Sequence, residues 1–98
     1  MPYPVHYSLR AYAEYEEILA YIAEKFGIEI ALKVDAYFED IIENISINPY
    51  MFPHSDKKKD LRRCVISPQT TLYYRFNGNY IELASFRGNR MDPRSLNL

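Results

Sequence analysis

Nine of the twelve basic residues fall after position 56: a Lys57-Lys58-Lys59 run, then Arg62, Arg63, Arg75, Arg87, Arg90 and Arg94. Tyrosines 73 and 80 lie among them. Cations in such a set can hold an anion, a phosphate above all, and a ring between them can stack on a base or on a neighbouring strand. The two histidines offer less. His6 lies in a short alternating segment and His54 in a proline-flanked loop, so each reads as a surface histidine. Cys64 is the lone cysteine. It cannot form an internal disulfide, has no companion for zinc, and reads as a small core residue. No metal and no cofactor are expected.

The cations are concentrated by a division of charge along the chain. Residues 1–56 hold three basic and ten acidic side chains, whereas residues 57–98 hold nine basic and three acidic ones. The net charge is −1, which excludes a chain that grips nucleic acid by bulk charge. The split instead predicts a molecule with two electrostatic faces. With 48% apolar and 26% charged residues in 98 positions, the composition is that of one globular domain spanning residues 1–98. A core this small is thin, and a partner chain that covered more of it would help. The N-terminus has no apolar stretch of signal-peptide type, and no apolar run approaches a membrane span. A reducing, cytoplasmic setting is expected and no membrane partner.

The elements that position these residues follow from periodicity. Residues 3–8 alternate and carry Pro2 and Pro4, which suits an edge strand. Ser8 is placed to cap a helix in which Tyr15, Ile18, Leu19, Ile22 and Phe26 form one apolar stripe. Gly27 is the expected left-handed C-cap. A second helix from about Ile28 carries Ile30, Val34, Phe38, Ile41, Ile42 and Ile45 and stops before Asn48-Pro49. So little chain separates the two helices that they must fold back as a hairpin. After a loop over residues 48–60 come three strands, 61–66, 70–76 and 80–86, with Asn77-Gly78 as the hairpin signal between the last two. Leu72, Tyr74 and Phe76 share one face, and Thr71, Tyr73 and Arg75 the other. The fold class is α+β, a two-layer β-α-α-β-β-β arrangement with the helical hairpin packed on a small, mainly antiparallel sheet. The free face of that sheet should be cationic, with tyrosines between the cations.

This pattern resembles the RelE/ParE superfamily of type II toxins. The resemblance rests on the strand ending in Tyr7-Ser8, the Tyr21-Ile22 pair, the helix ending in Asn48-Pro49 and the Leu61-to-Ile66 strand. It rests above all on Leu72-Tyr73-Tyr74-Arg75-Phe76, then Ile81-Glu82-Leu83 leading to Asn89-Arg90-Met91-Asp92-Pro93. It implies a small toxin neutralised by a cognate antitoxin protein, with self-association into a homodimer left open. Two targets occur in the superfamily. RelE-like members enter the ribosome and cut mRNA without a metal, whereas ParE-like members poison DNA gyrase and are not nucleases.

RNA cleavage by the 2′-hydroxyl needs a base, an acid and cations around the phosphorane. Carried over by position, Arg62 and Arg90 match two cations of the RelE-like set and are the catalytic candidates under that reading. Cys64 and Thr71 stand where further cations are expected, and no Tyr or His follows Tyr80. The proton-transfer half is therefore missing, which favours a ParE-like growth inhibitor over an endoribonuclease. Lys57, Lys59, Arg63, Arg75, Arg87 and Tyr73 are the candidates for binding a target or a phosphate. Arg75 and Arg87 could instead pair with Glu82 and Asp92. A third reading, a non-toxic binding module, has the basic sheet merely dock a partner helix or an acidic peptide.

Overall fold

A computed structural model describes residues 2–88 and 91–96. The elements run β1 (Val5–Tyr7), α1 (Leu9–Phe26), α2 (Ile28–Ile47), β2 (Arg62–Ser67), β3 (Thr70–Phe76), β4 (Ile81–Arg87) and a 3-10 turn (Pro93–Leu96). The strands form one mixed sheet in the order β1-β4-β3-β2, with β1 parallel to β4 and the other pairs antiparallel. The two-layer arrangement read from the sequence is the one observed.

Each boundary has a local cause. Ser8 adopts an extended backbone and its hydroxyl accepts from the Ala11 N–H, satisfying one of the free donors at the start of α1. Gly27 ends α1 and begins α2 as a single residue with φ 97° and ψ 160°. The positive φ needs glycine as expected, but the ψ value lies in the mirror of the extended region and not in the left-handed helical basin. The Asn77-Gly78 turn is longer than its dipeptide signal suggests. The Asn77 side chain accepts from the N–H groups of Asn79 and Tyr80, so β4 starts at Ile81.

The hairpin buries one face of the sheet. Ile18, Ile22, Val34, Phe38 and Ile45 from the helices meet Leu72, Tyr74, Ile81 and Leu83 from the strands, all fully buried. The rings of Tyr15, Phe38 and Phe86 lie 5.2–5.8 Å apart at their centroids and fill the centre of the layer. The Tyr15 hydroxyl donates to Asp35, tying α1 to α2. Burial and that carboxylate push the Tyr15 pKa well above the ordinary tyrosine value. Among the described residues, no helix is long and apolar enough to cross a membrane.

Register fixes which side chains face away from the helices. Arg63 opposes Tyr73, Arg75 opposes Glu82, and Thr71 opposes Arg87. His6 lies beside Glu82 on the parallel pair. These residues share the open face. Between Tyr73 and Tyr74 the register shifts, leaving Ala84 of β4 as the extra residue of a bulge.

Candidate functional site

Over the open face lies a cavity of about 570 Å³ with three sides. Its floor is the β3–β4 pair, with Tyr73, Arg75, Glu82 and Ala84. One wall is the start of α1, which contributes Ser8 and Arg10. The facing wall is the loop before β2, with Ser55, Lys57, Lys58 and Leu61. Ser85 and Arg87 close the end of β4.

The first wall exists because α1 takes over where β1 ends. β1 covers β4 only from Ile81 to Leu83. Beyond that point the backbone of Ser8 donates to the Leu83 carbonyl and its hydroxyl to the Ala84 carbonyl, 2.9 Å away. One turn later the Glu14 carboxylate accepts from the Ser85 hydroxyl and the Phe86 N–H, each at 3.0 Å. The other Glu14 oxygen holds the Arg10 guanidinium at 3.2 Å. The polar groups freed by the bulge are thereby satisfied, and a cation from the acidic half of the chain is brought to the basic face.

The second wall is held by Ser55. Its backbone donates to the Leu61 carbonyl, and its hydroxyl accepts from the N–H groups of Lys57 and Lys58. The lysine side chains themselves are exposed. Lys57, Lys58 and Arg87 have no ion-pair partner among the described residues. Arg75 differs: it donates to Glu82 at 2.5 Å and to Asp60 at 3.0 Å, so its charge is spent on closing the floor. Asp92 pairs with Arg94 and not with Arg87, and that guanidinium draws the Asp92 carboxyl below the usual range.

The expected site residues thus separate. Lys57, Tyr73, Arg75 and Arg87 meet at the cavity. Lys59 is exposed on the same loop, and Arg63 is exposed on the same sheet face, both outside the lining. Arg62 does not join them, which corrects the expectation of a shared open face. It opposes the buried Tyr74 in the register and therefore emerges on the helix side. There its guanidinium donates to the Phe52 carbonyl at 2.7 Å and lies over the Tyr50 ring. Tyr74 donates to the Pro49 carbonyl in the same region, and burial raises its pKa to about 12. The two side chains pin the loop that follows α2. Arg90 lies outside the described residues.

Two residues were missed. Arg10 sits two positions after the recognised cap Ser8, and that placement on the first turn was the available signal. His6 reads as a surface histidine and is exposed, but it stacks on Tyr80 at 4.5 Å on the same face as the cavity. Cys64 is buried, and desolvation raises its thiol to about 11, as befits a core residue.

The family model of the ParE toxin of the type II toxin-antitoxin system, parDE, matches residues 5–93. The chain belongs to that family and is a ParE-type toxin of a toxin-antitoxin system. Among solved structures, it is similar to a chain of the chromosomal ParDE TA system from P. aeruginosa. That match has a TM-score of 0.75 and 14% identity, and covers 88% of this chain and 95% of that one. It is also similar to the YoeB/ParE toxin from Agrobacterium tumefaciens, with a TM-score of 0.61, 15% identity, and 87% and 96% covered. At these identities the likeness concerns the fold. No curated protein matches the chain.

Proposed function

We propose that this toxin arrests growth by poisoning DNA gyrase and that a cognate antitoxin neutralises it. The observation that carries the reading is the state of the nuclease positions. Thr71 and Cys64 replace cations there, and Arg62 is turned to the helix side to anchor a loop. A phosphorane would find on the sheet neither that arginine nor a terminal tyrosine or histidine to pass a proton. The family supplies the antitoxin partner.

The test is induction of the toxin alone, with three readouts: growth, an SOS reporter, and primer extension across abundant transcripts. Gyrase poisoning gives arrest, SOS induction and trapped gyrase–DNA cleavage complexes, with intact messages. Arrest with ribosome-dependent cuts in mRNA supports instead the endoribonuclease, a reading favoured by the His6–Tyr80 stack beside Glu82 on the open face. Normal growth with abundant folded protein rejects both and leaves the non-toxic binding module. Co-expression of the adjacent small gene should restore growth.

A further inference from the structure

We infer that two copies of the free toxin associate through one apolar strip, made of Tyr3, Ile47, Tyr50, Met51 and Phe76, with Glu43 of each copy set against the partner's Arg62. The strip lies on the helix side, at the end of the sheet where β1 begins and β3 ends. It shares no residue with the lining of the cavity, and the inference does not depend on which cellular target is poisoned.

The strip is continuous. The Tyr3 N–H donates to the Ser46 carbonyl and the Ser46 hydroxyl to the Tyr3 carbonyl, which seats Tyr3 beside the last turn of α2. The Tyr3 and Phe76 rings are 4.7 Å apart at their centroids and the Phe76 and Tyr50 rings 5.5 Å, and the Arg62 guanidinium lies 5.1 Å from the Tyr50 centroid. The strip thus crosses the end of the sheet from the β1 edge to the β2 edge. Packed on one another, these side chains are still bare to solvent: Tyr50 is 65% exposed, Ile47 60%, Met51 43% and Tyr3 38%. Together they present on the order of 400 Å² of apolar surface, the scale at which an exposed patch marks an interaction site. Tyrosine, phenylalanine, methionine and arginine are also the residue types enriched at protein interfaces.

The charges select a second copy as the occupant. Glu43 is exposed one turn before Ile47, at the α2 end of the strip, and Arg62 is half-buried at the β2 end. Neither has an ion-pair partner among the described residues. Arg62 keeps one donor on the Phe52 carbonyl, but a half-buried guanidinium calls for a carboxylate as well. The polar neighbours of the strip in sequence, Asn44, Asn48 and Asn77, are uncharged. An apolar middle with an acid at one end and a base at the other is complementary to itself. A two-fold axis through the middle lays ring on ring and brings each Glu43 to the partner's Arg62. Such a contact removes roughly 800–1,200 Å² in total, the low end for a specific interface, so the dimer is weak and exchanges with the single chain at micromolar concentrations.

The experiment is sedimentation velocity of the purified free toxin from about 5 to about 500 μM, a span set by a micromolar dissociation constant. The weight-average mass should rise with concentration from one chain towards two. Ile47→Lys places a cation in the exposed last turn of α2, where the helix dipole favours it. The variant should keep the parent's circular dichroism while its dimer weakens by about ten-fold or more. Glu43→Arg sets like charges together and should weaken the dimer several-fold. Leu32→Ser alters an exposed residue about four turns of α2 from Ile47 and should leave the dimer as in the parent. A single chain at every concentration overturns the inference. So does a dimer that Ile47→Lys and Glu43→Arg leave intact, or one that Leu32→Ser dissolves, because the contact then lies elsewhere. An antitoxin that binds the parent tightly and the Ile47→Lys variant weakly, while the free toxin stays a single chain, also overturns it and assigns the strip to the antitoxin.

Discussion

The Glu14 carboxylate lies 3.0 Å from the Ser85 hydroxyl, across 71 residues of sequence, and fastens α1 to the bulge of β4. The same carboxylate takes the Phe86 N–H and the Arg10 guanidinium. Glu14→Ala should therefore cost about 1.5–3 kcal/mol, the range for hydrogen bonds to a charged group. Urea denaturation checks this, with an unchanged m-value as the sign that the denatured state is unaffected. A loss below half a kilocalorie would mean that the bulge holds α1 without Glu14.

Gly88 turns the chain after β4 at φ +88°, and an added Cβ would stand 1.6 Å from the Gln69 carbonyl oxygen. Backbone lies on both sides of that clash, so neither can yield cheaply. The Gly88 carbonyl also accepts from the Thr70 hydroxyl. Gly88→Ala should lose about 3–5 kcal/mol through overpacking and the positive φ together, measured as a drop in Tm or as insoluble expression.

Tyr74→Phe keeps the packing and removes only the hydroxyl that satisfies the Pro49 carbonyl. The expected cost is about 1–3 kcal/mol. Arg62→Met removes the second pin on the same loop. Because both side chains act on one segment, a double-mutant cycle should show coupling of about 0.5 kcal/mol or more. Additive losses would show that the two anchors work separately.

Alkali should unfold the protein earlier than its charge balance suggests. Tyr7 and Tyr74 are raised to about 12 by burial, Tyr7 also by Glu39 and Asp35, and Cys64 to about 11. In the unfolded chain these groups lose protons near their ordinary values. Their contribution is therefore complete below the unfolded pKa and is lost as pH rises towards the folded one. Stability should fall from about pH 9, where the free thiol titrates, and steepen above about pH 10 as the tyrosines follow. A flat profile of urea midpoint against pH up to 11 would contradict this burial.

Cys64 should react with a thiol reagent only when the protein opens. It is buried between Leu72 and the helices, with its thiol pushed to about 11, so little thiolate is present and little of it is reachable. Labelling at neutral pH should be slow in buffer and complete within mixing time in denaturing urea. Rapid labelling of the folded chain would place this residue at the surface.

Most of the fold was legible because short-range rules decide it. The Ser8 cap, the Gly27 turn, the Pro49 stop and the period of the apolar stripes each act within a few residues. The parallel pairing of β1 with β4 was not legible, since it closes only after the whole chain has returned. The site was half legible for the same reason. Alternation correctly set Tyr73 and Arg75 opposite Tyr74, but the face of Arg62 depends on its register with Tyr74 across the hairpin. Arg10 was hidden by lying in the acidic half, and only the contact of α1 with β4 brings it over.

The junction at Gly27 also has a mechanical meaning. With one residue between them, α1 and α2 have no slack, and the Tyr15–Asp35 bond cross-braces them further along. The far end of α1, where Ser8 and Arg10 stand at the cavity, is thereby fastened to α2 as well as to β4.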